Sequence, residues 1–246
     1  PHERVNDDEW DSFVAASRNG TFMHTRRYVG YHADRFVDAS LVARSPSGRL
    51  LAVMPANLVR GPDGAHLLSH GGLTYGGWVL APETTLATVL EVFDRLDEHC
   101  RLHGISRVVY KAVPRAYHLV PSDEDEYALH VRGASKLRHD VSAVISLDRR
   151  PPLSSGRRDG VRRARRAGIV VEERQDLSDF HGLLTQVLAE RHGASPTHSL
   201  AELDLLRSLF PQQIKLFVAA DAGTVVAGAL VYDCGQTVHT QYLASG

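Results

Sequence analysis

The stretch TVHTQYLASG, residues 237–246, holds three side chains able to do chemistry: His239, Gln241 and Tyr242. An imidazole changes charge near neutral pH, and a phenol beside it can hand on a proton, so the two suit general acid–base work. Val238, Thr240, Tyr242 and Ala244 alternate with His239, Gln241, Leu243 and Ser245, the period of a strand. Strict alternation sends His239 and Gln241 to one face and Tyr242 to the other, unless a bulge intervenes. The plainer alternative is that these groups hydrogen-bond within a core. His198, in SPTHSL, stands just before a helix start, where it points either into a cleft or into water. His192 closes the preceding helix and suits its dipole.

The first half offers a second set. SHGGLTYGGW (69–78) has four glycines that allow close backbone approach, with Ser69, His70 and Tyr75 among them. A tight glycine-rich bulge with Tyr75 and Trp78 packed inside is the competing reading. Arg26 and Arg27 can grip a phosphate or carboxylate, or can pair with Asp34 or Asp38. Tyr28, Tyr31, His24 and His32 share their segment, and Lys111, Tyr117 and His118 sit in a later loop. RRDGVRRARR (157–166) carries six arginines and one acid. At helical spacing Arg158, Arg162, Arg165 and Arg166 form one stripe, which is a solvated face or a site for an anionic partner. The histidines are scattered singly and Cys100 and Cys234 lack ligand spacing, so no metal is expected.

These residues need elements to position them. Asp7 or Asp8 can cap a helix holding Trp10, Phe13 and Val14, and Asn19-Gly20 stops it. SPSG centres a hairpin of two apolar runs. Residues 83–103 follow the 3.6 period and end at Gly104. Strands are expected at 106–113 and 138–147, with SDEDE (122–126) as an acidic turn. DRRPPLSSG (148–156) is the best boundary, giving units 1–148 and 149–246. Beyond it come a basic helix (157–167), the strand IVVEER, a helix ending at Gly193, and a helix capped by Ser199 with Glu202. IKLFVAAD, TVVAGALVYDCG and TVHTQYLA then read as three strands. Both halves read strand, helix, helix-like segment, hairpin and third strand, a repeat of pattern rather than of identity.

Composition sets the outer limits. The 246 residues suffice for one large or two modest domains, and a net charge of −1 argues against a general nucleic-acid binder. No apolar run is long enough to span a bilayer, and two cysteines suggest a reduced, cytoplasmic protein.

The order of elements resembles the GNAT acyltransferase fold, and two such units in tandem resemble its FemABX-like branch. NGTFMHTRRYVGYHADRF (19–36), SHGGLTYGGW, YKAVPRAYH (110–118), RRARRAG (162–168), HGASPTHSL (192–200) and KLFVAADAGTVVAGALVYDCGQTVHTQYLAS (215–245) carry the likeness. It implies an α/β (α+β) fold of two GNAT-like units with mixed, mostly antiparallel sheets flanked by helices. The implied activity is N-acyl transfer, most simply of acetyl, from acetyl-CoA or another acyl-CoA to a small-molecule or amino-sugar-type amine. The first unit would serve the acceptor and the second the donor. The resemblance implies His239, Tyr242 and His198 as catalytic. Arg26, Tyr28, His70, Tyr75, Lys111 and Gln241 would contact the acceptor, and Tyr242, Leu243, Ala244 and Ser245 would contact the donor. In GNAT enzymes a phosphate-binding loop follows this strand, so the second unit is expected to be incomplete at Gly246. Two rivals stand: an aminoacyl-tRNA-dependent amide-forming transferase of cell-wall or natural-product assembly, and a non-catalytic binding module.

Overall fold

The computed structural model describes residues 5–32, 34–69 and 71–246. Its chain contacts divide it into two compact units, one ending at His139 and the other starting at Asp140. The first unit begins with helix α1 (Asp7–Ala16), whose N-cap is Asn6 rather than an aspartate; the Asn6 side chain accepts the Glu9 N–H at 2.7 Å. The turn α2 (Arg26–Val29) follows, then strands β1 (Val37–Asp38), β2 (Leu41–Arg44), β3 (Leu50–Met54), β4 (Asn57–Gly61), β5 (Gly64–Leu68) and β6 (Val79–Leu80). Helix α3 (Leu86–Leu102), strand β7 (Ile105–Val109) and helix α4 (Glu124–Val131) complete the unit. The strands form two sheets, β1-β4-β5-β7 and β2-β3-β6, antiparallel except for the parallel β5–β7 pair. Val89, Val92, Phe93 and Leu96 of α3 bury their apolar stripe against Met54, Leu67, Trp78 and Leu80. Trp10 and Val14 of α1 close a second core on Val53 and Val79.

The second unit runs α5 (Ser155–Arg166), β8 (Val170–Arg174), α6 (Ser178–His192), α7 (Leu200–Leu209), β9 (Ile214–Asp221), β10 (Thr224–Asp233) and β11 (Val238–Ser245). Its four strands make one antiparallel sheet in the order β11-β10-β9-β8. Ser199 and Glu202 form the expected capping box at the start of α7, and Gly193, at φ 58°, ends α6 in the left-handed conformation. Phe180, Leu184 and Val187 of α6 are buried, as are Ile214, Leu216, Val218 and Leu230 of the sheet. Gly228 lets α6 approach: a Cβ there would lie 2.5 Å from the Phe180 ring.

Two expectations fail. Residues 138–147 form no strand; they are irregular and exposed. An alternating pattern names two faces, but a strand also needs a neighbour for its N–H and C=O groups. SDEDE is not merely a turn, because Glu124, Asp125 and Glu126 open α4. Acids in a first turn complement the helix dipole, so the same charges that suggest a turn also suit a helix start. No helix among the described residues is long and apolar enough to cross a membrane.

Candidate functional site

Strand β11 departs from strict alternation. Tyr242 stands opposite Leu230 and Thr240 opposite Val231, so Gln241 is an extra residue accommodated by a bulge. His239 lies opposite Tyr232, and Leu230 and Tyr232 share a face of β10. The bulge therefore places His239 and Tyr242 on the same face, where unbroken alternation would have separated them. Burial follows: His239, Gln241, Tyr242 and Ala244 turn at least partly inward, while Val238, Thr240, Leu243 and Ser245 are exposed.

On that face Tyr242 meets His198. The phenol oxygen lies 2.7 Å from His198 Nδ1 and receives the His198 backbone N–H at 3.3 Å. The rings meet edge to face with centroids 5.8 Å apart. The capping box of α7 fixes the chain one residue beyond His198, and the imidazole is buried. Its carbonyl lies 3.2 Å from Nε2 of His181 on α6, so a helix start and a helix flank hold this backbone together. His181 does not stand out in the sequence, and no motif marks it. Its place depends on how α6 lies beside the segment before α7.

Protonation sets the direction of the short contact. When Nδ1 of His198 is unprotonated the phenol donates to it; when Nδ1 carries a proton, in the Nδ1–H tautomer or the imidazolium, Nδ1–H donates to the phenol oxygen and leaves the phenol proton for another acceptor. His239, farther along β11, packs edge-on to Tyr232 at 6.4 Å. Burial pushes its imidazole below the ordinary value, opposed by a hydrogen bond with the Gln241 side chain, and so favours the neutral base.

Beyond the pair, Leu243, Ala244 and Ser245 border an open cavity of about 610 Å³. Its remaining wall includes Phe217, Ala227, Val187 and Arg191, and the His198–Tyr242 pair lies outside it. Arg191 donates to the Ser245 carbonyl at 3.1 Å, tying the end of α6 to the end of β11. As the sheet's last strand, β11 has one edge without a β neighbour among the described residues.

The candidates of the first unit are placed differently. Arg26 is committed within its own unit. It pairs with Asp38, lies 3.0 Å from Ser40 Oγ, and its guanidinium covers the Trp10 ring at 5.3 Å. Tyr28 is buried among aromatics, edge-on to Phe22 and Tyr31. Tyr75 is also buried; its hydroxyl donates to Thr21 Oγ1 at 3.2 Å, and its ring lies 4.5 Å from that of Tyr117. Lys111 donates through Nζ to the Leu73 carbonyl, and burial lowers its pKa. His70 lies outside the described residues. The structure thus sets His198 against Tyr242 of the bulged strand that also carries Gln241 and His239, whereas Arg26, Tyr28, Tyr75 and Lys111 each have separate local partners.

No protein-family model matches the chain, and no curated protein does. Among solved structures, FemX superposes with a TM-score of 0.61 over 98% of this chain and 79% of its own, at 13% identity. TTHA1254 from Thermus thermophilus is 16% identical over 58% of this chain and 94% of its own, with a TM-score of 0.34. The GCN5-related glucosamine N-acetyltransferase region of a fungal multi-domain GH3 beta-N-acetylglucosaminidase is 15% identical over 92% of this chain and 27% of its own, with a TM-score of 0.40. With two α+β units, mostly antiparallel sheets and this extent of superposition on FemX, the chain has the tandem, FemABX-like form of the GNAT fold.

Proposed function

We propose that the protein is an N-acyltransferase that moves an acyl group, most simply acetyl, from an acyl-CoA to a small-molecule amine. The observation carrying this reading is the bulged β11, which sets the Tyr242 phenol 2.7 Å from the His198 imidazole one residue before the cavity-lining segment 243–245. A thioester donor supplies an activated carbonyl. The residues present suit its pantetheine arm: a strand edge for amide pairing, an apolar wall and a cationic Arg191 beside it.

In this reading His239, favoured as a neutral base, takes a proton from the acceptor ammonium. The freed amine attacks the thioester carbonyl carbon, forming the C–N bond. The C–S bond then breaks, Tyr242 gives its proton to the departing sulfur, the surplus proton on the newly bonded nitrogen returns through His198 to the phenolate, and His239 passes its proton to solvent. No covalent enzyme intermediate is required.

A second reading keeps the fold and takes an aminoacyl-tRNA as donor. The exposed arginines of α5 and the likeness to FemX support it. Incubation with acetyl-CoA and a panel of amines, followed by release of free thiol, tests the first reading. Amine-dependent thiol release resistant to ribonuclease is expected. Amide formation that requires charged tRNA and stops on ribonuclease treatment, without thiol release, would install the second reading instead. Absence of both activities would favour a non-catalytic module.

A further inference from the structure

Helix α5 and the segment before it are not explained by the acyl-transfer chemistry. The helix has no buried residue, and Arg157, Arg158, Arg162, Arg163, Arg165 and Arg166 are all exposed. Among the described residues these arginines form one ion pair, Arg162 to Asp159 at 3.2 Å. Arg158, Arg162 and Arg166 follow one another at four-residue spacing, an arrangement in which like charges repel and weaken the helix. Twelve residues without a buried face gain little from packing, so a surface of opposite charge is the partner this helix lacks.

The segment VSAVISL, residues 141–147, supplies the second observation. Val141 is 95% exposed, Val144 65%, Ile145 63% and Leu147 81%, and no charge interrupts them. Four aliphatic side chains so exposed within seven residues are unfavourable in water. Eight residue steps separate Leu147 from Ser155, so the chain holds the two features within about 30 Å even at full extension. Arg149 and Arg150 lie between them.

We propose that residues 141–166 form an interfacial binding surface for an anionic lipid bilayer, with the α5 arginines at the headgroups and Val141, Val144, Ile145 and Leu147 inserted among the upper acyl chains. An anionic bilayer is the partner that satisfies both observations, since it offers dense negative charge over an apolar layer. A nucleic acid would use the arginines but leave the aliphatic side chains in water, and the segment has no aromatic side chain on which a base could stack. This surface is independent of the donor and acceptor named above.

Flotation of the full chain with vesicles of phosphatidylcholine, alone or mixed with phosphatidylglycerol, tests the proposal. Binding to the mixed vesicles, weakened by salt, is expected. At about fivefold per charge near an anionic surface, Arg158→Gln, Arg162→Gln and Arg166→Gln, which remove three charges, together lower partitioning by about a hundredfold. The matching lysine triple retains it. Ile145→Ser with Leu147→Ser lowers it at least about tenfold, because apolar burial is lost. All these positions are exposed, so circular dichroism should report an unchanged fold. Absence of binding to the mixed vesicles overturns the proposal. So does full binding by the serine pair, or displacement of the protein from the vesicles by a mixed-sequence RNA that binds it more tightly.

Discussion

Each unit contains a histidine beside a tyrosine, and the two pairs differ in how a proton could pass. In the first unit His24 is fully buried, its Nδ1 accepts the Thr21 N–H at 3.0 Å, and its ring lies 5.4 Å from that of Tyr75. The Tyr75 hydroxyl reaches Thr21 rather than the imidazole. Burial holds His24 at a pKa of about 4, so it stays neutral through the physiological range. In the second unit the phenol of Tyr242 touches the imidazole of His198 directly. The comparison teaches that residue type and burial do not make a proton relay. The first pair closes a core and meets only through the Thr21 hydroxyl, 3.3 Å from His24 Nδ1, whereas the second brings phenol and imidazole into direct contact.

The sharpest way to break this contrast is a matched pair of substitutions. Tyr242→Phe should lower kcat for acyl transfer about 100- to 1,000-fold, the range for loss of a general acid. Tyr75→Phe should change it less than about threefold, while costing about 1 kcal/mol of stability through its lost hydrogen bond. Thiol-release kinetics and urea melts on both proteins would measure this; equal kinetic losses would erase the distinction.

The next largest effect is on stability against pH. Below the unfolded value near 6.5 the unfolded chain takes up a proton at His24 that the folded chain refuses until about pH 4. Stability is therefore fully present above pH 6.5 and falls as pH drops toward 4, by about 3 kcal/mol from this residue. His239, lowered in the same direction, adds to the trend. Urea melts at pH 7 and pH 5 should show the loss, and His24→Gln should flatten much of it.

Gly228→Val comes third. The added side chain meets the Phe180 ring and pushes α6 from the sheet, costing about 2 kcal/mol. Because α6 carries His181 beneath the His198 carbonyl, activity should fall together with stability. Smallest is Ala222→Gly in the turn between β9 and β10. Ala222 holds φ 46°, a left-handed conformation that costs a residue with a Cβ about 1 kcal/mol. Its relief should stabilise the protein by about 0.5 kcal/mol, a net effect reduced by the greater freedom of glycine in the unfolded chain. Thermal melts should rise while kinetics stay unchanged.

Much of this architecture is legible without coordinates. Ser199 with Glu202 announces the start of α7, Gly193 the end of α6, and three alternating runs announce β9, β10 and β11. These signals are local, carried by a cap, a left-handed turn or a period within one segment. The site is only half legible. His198, His239, Gln241 and Tyr242 stand out as residue types near element ends, but alternation alone puts Tyr242 on the wrong face. The bulge arises because seven residues of β10, 227–233, face eight of β11, 238–245, in a register that skips Gln241, and that register depends on both strands and the helix packed on them. Residues 138–147 fail for the converse reason: their pattern suits a strand, but none of the described sheets takes them.

The sequence by itself determined the elements, their order and the residue types available for proton transfer, because propensity, capping and periodicity act over a few neighbouring residues. Tertiary structure alone decided which of those residues meet. A contact such as His198 to Tyr242 spans 44 positions of chain, and it exists only once α6, the start of α7 and the bulged edge strand settle around one core.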